Sequence, residues 1–219
     1  MITDEQFENL FTKVASKLLR KKRTLLGRER LRNAGYSVLD VARRDVKGQI
    51  VECGTYRGGA LAFMSLINRA VESERTLWGF DTFNGLPSPS SLDGPKVAKR
   101  GFAGDLLATE KDCRQTFSQI GLDMSGVRLV PGLFQDTLKT VKSEIGEISV
   151  LRLDGDWYES TMCCLQELYD QVTVGGWVII DDYGHFEGCK KAVDEFLNVR
   201  DITPSFKKTD YTEVCWIKT

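Results

Sequence analysis

The chain has 219 residues, with 30 lysines and arginines against 31 aspartates and glutamates and a formal net charge of −1. That balance leaves no overall field to draw in nucleic acid or an anionic membrane surface, so a small-molecule partner is expected. The length supports a sizeable core without disulfide staples, and the six cysteines, among them Cys163 and Cys164, show neither CxxC spacing nor a secreted framework. No apolar run approaches a membrane span, and the first residues lack the basic start and apolar core of a signal peptide, which predicts a soluble, cytoplasmic chain.

Thr3 or Asp4 is placed to cap a first helix in which Phe7, Leu10, Phe11, Val14 and Leu18 recur at helical spacing. The basic knot Arg20 to Arg23 after it reads as a solvated face. A second helix is expected over about residues 28 to 45, with Leu31, Tyr36, Leu39, Val41 and Ala42 available for burial and Gly48 beyond its end. From Gln49 onward, apolar runs alternate with amphipathic stretches. QIVEC, TLWGFD, VRLVPG, ISVLRLD, WVIIDD, SFKKT and EVCWIK read as strands, and helices are expected near residues 59–72, after Thr109, and near 159–171 and 187–198. Such alternation predicts an open α/β sheet, mostly parallel, with helices on both faces, and an N-terminal helical extension over residues 1–48 ahead of a ligand-binding domain over 49–219. One connection stands out. The Gly-, Pro- and Ser-rich stretch FNGLPSPSSLDGPKVAKRGFAGD is too long for a simple loop and reads as a lid or a disordered insertion over about residues 82–104.

Two acidic clusters follow buried strands: Asp154 and Asp156 in LRLDGDWYEST, and Asp181 and Asp182 in WVIIDDYG. Ligands of a parallel sheet bind where its strands end, so four carboxylates converging there call for a divalent cation. The first strand runs into ECGTYRGG. Gly54 allows a tight turn, and Gly58 and Gly59 allow a ligand to approach the next helix start. The spacing is not a Walker loop and only loosely matches GxGxxG, which argues against a dinucleotide oxidoreductase. Asp81, ending the second strand, can accept both hydrogen bonds of a ribose diol, so an adenosine-containing cofactor suits the pair.

The segments VECGTYRGGA, GFDTFNGLP, VPGLFQDTL, LRLDGDWYESTMCCLQELY, GGWVIIDDYGHFEGCKKAVDEF and EVCWIK together resemble the macrocin O-methyltransferase family. That resemblance implies S-adenosylmethionine-dependent, metal-dependent methylation of a sugar hydroxyl on a class I methyltransferase sheet of seven strands, the last antiparallel. It implies that Glu52, Gly54 and Tyr56 form the cofactor loop, that Asp81 holds the ribose, and that Phe134 lines the adenosine or substrate pocket. It further implies that Asp154, Asp181 and Asp182 hold Mg²⁺, with Asp154 also facing the cofactor, and that Asp156 is the general base. N-terminal helices in such enzymes help cover the acceptor and form a homodimer.

The chemistry agrees with those roles. Carboxylates suit a hard cation, a neighbouring pair of hydroxyls on the acceptor can occupy open positions, and a further carboxylate can take the proton. The acceptor is expected to be a glycoside or polyol, with a catechol or other phenol as the alternative; in metal-dependent catechol methylation a lysine commonly follows the first metal-binding Asp by three positions, where this chain has Trp157. A non-catalytic adenosyl-binding module is a further alternative. His185, the only histidine, reads as an auxiliary base or a loop residue. Arg57 reads as a ligand contact or a structural ion pair, and Trp157, Tyr158 and Tyr183 as stacking surfaces or core.

Overall fold

A computed structural model describes residues 1–95, 97 and 102–219. The part of the long connection formed by residues 96 and 98–101 lies outside the described residues, and with it that part of the expected lid. The two arms of the connection pair through Leu86 N–H to the Asp105 carbonyl (2.8 Å) and Gly104 N–H to the Leu86 carbonyl (2.9 Å).

The strands β1 (Gln49–Cys53), β2 (Leu77–Asp81), β3 (Val127–Pro131), β4 (Ile148–Leu153), β5 (Val172–Ile180), β6 (Lys207–Lys208) and β7 (Val214–Ile217) form one sheet in the order β3-β2-β1-β4-β5-β7-β6. Pairings from β3 through β5 are parallel, and β7 runs antiparallel to both its neighbours. The class I methyltransferase sheet is therefore present. Its strand order reverses between β1 and β4, and a ligand crevice belongs outside the carboxyl ends of those two strands.

Side chains alternate across the sheet as the pleat requires. Ile50, Val150 and Ile179 join an apolar core on one face, while Val51, Leu151 and Val178 join the core on the other. The first face is covered by α1 (Asp4–Arg20), α2 (Arg28–Arg43), α3 (Gly59–Ala70) and α4 (Glu110–Gln119). The second is covered by α5 (Phe134–Ile145), α6 (Tyr158–Leu168) and α7 (Glu187–Val199). Thr3 closes a capping box with Gln6 at the start of α1, which lays Phe7 and Phe11 against Phe63 of α3 at ring separations of 6.2 and 5.7 Å. The N-terminal helices thus share a core with the sheet.

Three elements differ from the sequence expectation. Helix α5 had no place in it, because a charged stretch with few buried positions (Phe134, Leu138 and Ile145) carries a thin apolar stripe. Strand β5 begins at Val172 rather than Trp177, running through Gly175 and a buried Gly176, where a Cβ would meet the Thr173 carbonyl oxygen at 2.8 Å. The sixth strand shrinks to two residues, since only Lys207 and Lys208 pair with β7 and Pro204 precedes them. No helix among the described residues is long and apolar enough to cross a membrane.

Gly54 is the residue on which the crevice geometry turns. It has φ +93°, and a Cβ there would lie 1.8 Å from the Asp154 carbonyl oxygen. Only glycine lets the turn after β1 press against the turn after β4. Gly54→Ala is expected to cost at least ~2 kcal/mol in urea unfolding and to abolish binding of S-adenosylhomocysteine in calorimetry; a variant with wild-type stability and affinity would contradict this packing.

Candidate active site

A cavity of about 290 Å³ opens at the carboxyl ends of β1, β2, β4 and β5. Its wall includes Glu52, Gly54, Thr55, Tyr56, Asp81, Phe134, Asp154, Asp156, Asp181, Asp182 and His185, together with Thr24 to Leu26 from the N-terminal segment and Gly85 to Pro87 from the long connection. Eight of the sequence-predicted site residues thus face one space beside the second Asp of DGD: Glu52, Gly54, Tyr56, Asp81, Phe134, Asp154, Asp181 and Asp182. Gly58 and Gly59 do not. A Cβ at Gly58 would meet the Cys113 sulfur at 2.4 Å and one at Gly59 the Arg23 carbonyl oxygen at 2.6 Å, so these glycines serve packing of α3 against α4 and the N-terminal segment.

One side of the cavity is built from the ends of β1 and β2. Tyr56, at φ +48°, donates its N–H to Asp81 Oδ2 (2.7 Å), and Phe83 N–H donates to Asp81 Oδ1 (2.9 Å). Burial raises the Asp81 pKa, and these two amides oppose the rise. Each oxygen keeps further acceptor capacity, as binding a ribose diol requires.

The acidic side is organised by a residue that the sequence reading passed over. Arg152 lies fully buried in β4, in register with Glu52 of β1. Its Nη1 donates to Glu52 Oε1 and Asp154 Oδ2, both at 3.0 Å, and its Nη2 to Asp181 Oδ1. Arg30 of α2 binds the other oxygen of Asp181 and pairs through Nε with Asp210 Oδ2 at 3.1 Å. The signal was available: a charged residue inside the fully buried run ISVLRL demands an acid on the adjoining strand. Arg30 left no such trace, since α2 reaches the site only through tertiary packing.

Asp154, Asp156 and Asp182 offer carboxylate oxygens that all lie within 4.8 Å of one another. Asp182 Oδ2 is buried with no hydrogen-bond partner among the described residues. Asp181 stands beside this trio, its charge shared between two guanidiniums. Burial raises the pKa of Asp156 and Asp182 well above the usual carboxylate range, and the neighbouring carboxylates raise both further. Burial also lifts Asp181, to about 6, with Asp154 adding to the rise and Arg152 and Arg30 opposing it. Burial takes Glu52 to about 8 despite Arg152. Asp156 holds a left-handed backbone at φ +58°, and among the described residues its side chain accepts no hydrogen bond. An orphaned acceptor among crowded acids is a donor set that could hold a hard divalent cation.

The remaining candidates fall into place around this centre. His185 lines the cavity, its N–H on the Asp182 carbonyl (3.0 Å) and its ring edge-on to Phe186. Arg57 turns away, stacked over Tyr56 and bonded to the Lys22 carbonyl. Trp157 is 2% exposed and donates Nε1–H to the Pro87 carbonyl, Tyr158 donates to Glu195, and Tyr183 to Asp194.

The model of the family described as Macrocin-O-methyltransferase (TylF) matches residues 2–218. The chain belongs to this family. The demethyldecarbamoylnovobiocin O-methyltransferase of Streptomyces niveus is 39% identical over 208 residues, covering 90% of this chain and 76% of that enzyme. The mycinamicin III 3''-O-methyltransferase of Micromonospora griseorubida is 35% identical over 199 residues, covering 88% and 77%. The solved structure of the O-methyltransferase NovP superposes with a TM-score of 0.83 at 39% identity, over 90% of this chain and 82% of that one. The protein is accordingly an S-adenosylmethionine-dependent O-methyltransferase of the macrocin type.

In this O-methyltransferase, Arg152 is the only described partner that touches Glu52, Asp154 and Asp181 together. Arg152→Met is expected to destabilise the fold by about 3–5 kcal/mol at pH 7, because it strands buried carboxylates without their cation. Arg152→Lys is expected to recover less than half of that, since one ammonium cannot span three acids. Urea unfolding reads both; a loss under ~1 kcal/mol for the methionine variant would contradict the assignment.

Proposed function

We propose that this enzyme methylates a hydroxyl flanked by a second hydroxyl on a glycoside or related natural product, using Mg²⁺ held by Asp154, Asp181 and Asp182, with Asp156 as the base. The observation that carries the proposal is the cluster of close carboxylates, with the orphaned Asp182 Oδ2 among them, on the wall of the cofactor cavity. The donor set fits the ion, being all oxygen and already crowded beyond what buried acids tolerate without a cation or protons. Asp181 fits despite its arginines. Each of its oxygens accepts one guanidinium N–H and retains a lone pair, the outer-shell arrangement that orients a ligating carboxylate. Asp154 is oriented by Arg152 in the same way.

A bound cation would acidify the acceptor hydroxyl, and S-adenosylmethionine would supply the methyl group. The chain's own residues do the rest. Asp156, raised in pKa and free of hydrogen bonds among the described residues, is suited to hold the proton taken from the acceptor. Asp81 orients the ribose, Gly54 and Tyr56 shape the turn around the cofactor, and Phe134 closes the cavity wall beside Gly155. Thr24 to Leu26 of the N-terminal segment form part of the cavity wall. The sugar-type acceptor is favoured over a phenol because Trp157 is spent on the Pro87 carbonyl and supplies no amine where catechol enzymes commonly carry one. The names of the two curated relatives, which act on novobiocin- and mycinamicin-type molecules, support a natural-product acceptor.

Methyl transfer to matched panels of glycosides and catechols, with Mg²⁺ and with a chelator, tests the proposal. Transfer to glycosides that vanishes with the chelator is expected, whereas transfer that survives chelation would remove the metal from the account. Asp182→Asn is expected to lose Mg²⁺ binding and turnover together, while Asp156→Asn keeps Mg²⁺ binding and loses ~10²-fold or more in kcat. Loss of Mg²⁺ binding in Asp156→Asn would instead put Asp156 in the ligand set in place of Asp181.

A further inference from the structure

The turn that carries Asp156 is held from outside by the long connection. Asp156 sits at φ +58°, a conformation that costs energy for a non-glycine residue and persists only where its surroundings over-determine it. Helix α6 starts two residues later, and its N-cap, Trp157, provides no side-chain hydrogen bond. The missing cap comes from 65 residues away. Asp93, 2% exposed, accepts the Tyr158 N–H at Oδ1 (2.6 Å) while Oδ2 accepts the Ser90 N–H (2.7 Å) and the Ser90 hydroxyl (3.2 Å). A Cβ on Gly188 of α7 would lie 2.0 Å from Asp93 Oδ1, so that glycine is what admits the carboxylate between α6 and α7. Trp157 adds a second tie through Nε1–H to the Pro87 carbonyl (3.0 Å), and Gly85 to Pro87 form part of the cavity wall.

We infer that Asp93 is a positioning residue for methyl transfer: one oxygen fixes the turn that aims Asp156, and the other fixes the loop wall against which the acceptor lies. The inference rests on the assignment of Asp156 as the base. Its two halves separate by chemistry. In Asp93→Asn the amide oxygen can still receive the Tyr158 N–H, but the amide NH₂ that replaces Oδ2 is a donor and cannot accept from Ser90. In Asp93→Ala both ties are lost.

The test combines amide hydrogen exchange on the ligand-free protein with steady-state kinetics. Asp93→Ala is expected to speed exchange together in residues 84–95 and 156–162, to lower kcat by ~10-fold through misplacement of the base, and to raise the acceptor KM, with S-adenosylhomocysteine affinity unchanged. Asp93→Asn is expected to restore most of kcat and the protection of 156–162 while leaving the acceptor KM raised and 84–95 fast. Faster exchange confined to 84–95 in Asp93→Ala, or equal kcat losses in the two variants, would overturn the inference. A wild-type protein inactive on every acceptor would defeat the proposed function but leave the exchange experiment decisive for Asp93.

Discussion

A single buried guanidinium sets the terms for the rest of this molecule. Arg152 stands in the middle strand of a parallel sheet, where charge is tolerated only if its partners are close and well oriented. The β1–β4 register places Glu52 beside it, the two-residue period of β4 puts Asp154 on the same face, and the end of β5 brings Asp181 to its second nitrogen. These are the strands that flank or adjoin the reversal of strand order. The ion network therefore ties the carboxyl end of β1 to the acidic cluster where the topology opens a crevice.

Crowded buried acids can be stabilised by arginines, by protons or by a cation, and this site distributes the three unequally. Glu52, Asp154 and Asp181 contact Arg152, and Arg30 shares Asp181. Asp156 and Asp182 have no cationic partner of their own among the described residues, and burial accordingly drives them toward the protonated form. The same arrangement explains the reach of α2 into the site. Arg30 brings the N-terminal helices into electrostatic contact with the acidic cluster.

Much of this was legible in the chain. The alternation of apolar runs and amphipathic stretches yields the sheet, and the acids that end ISVLRLD and WVIIDD fall at the crevice because parallel strands present their carboxyl ends on one side. Gly54 and Asp81 were readable from strand-end position alone. What escaped was long-range. Helix α5 carries too thin an apolar stripe to announce itself, and the sequence does not show that Gly58 and Gly59, read as ligand contacts, are packed against α4 and the segment around Arg23 rather than on the cavity wall. A DD pair does not say that its first member meets two arginines while its second meets two carboxylates. That split depends on Arg30 and Arg152, which are distant from the pair in sequence. Nor does an Asp in a proline-rich loop reveal that it caps a helix 65 residues later.

Under the proposed function, the carboxylates around Asp182 would exchange protons for a divalent cation. Because metal binding requires deprotonated ligands and burial raises the pKa of these carboxylates, Mg²⁺ bound there would displace protons and bind more tightly as pH rises. Titration calorimetry of the S-adenosylhomocysteine complex with Mg²⁺ at pH 7, in two buffers of different ionisation enthalpy, measures this directly. The account predicts that Mg²⁺ binding releases protons and that binding and release are lost together in Asp182→Asn; Mg²⁺ binding without proton release, or unaltered in that variant, would contradict it.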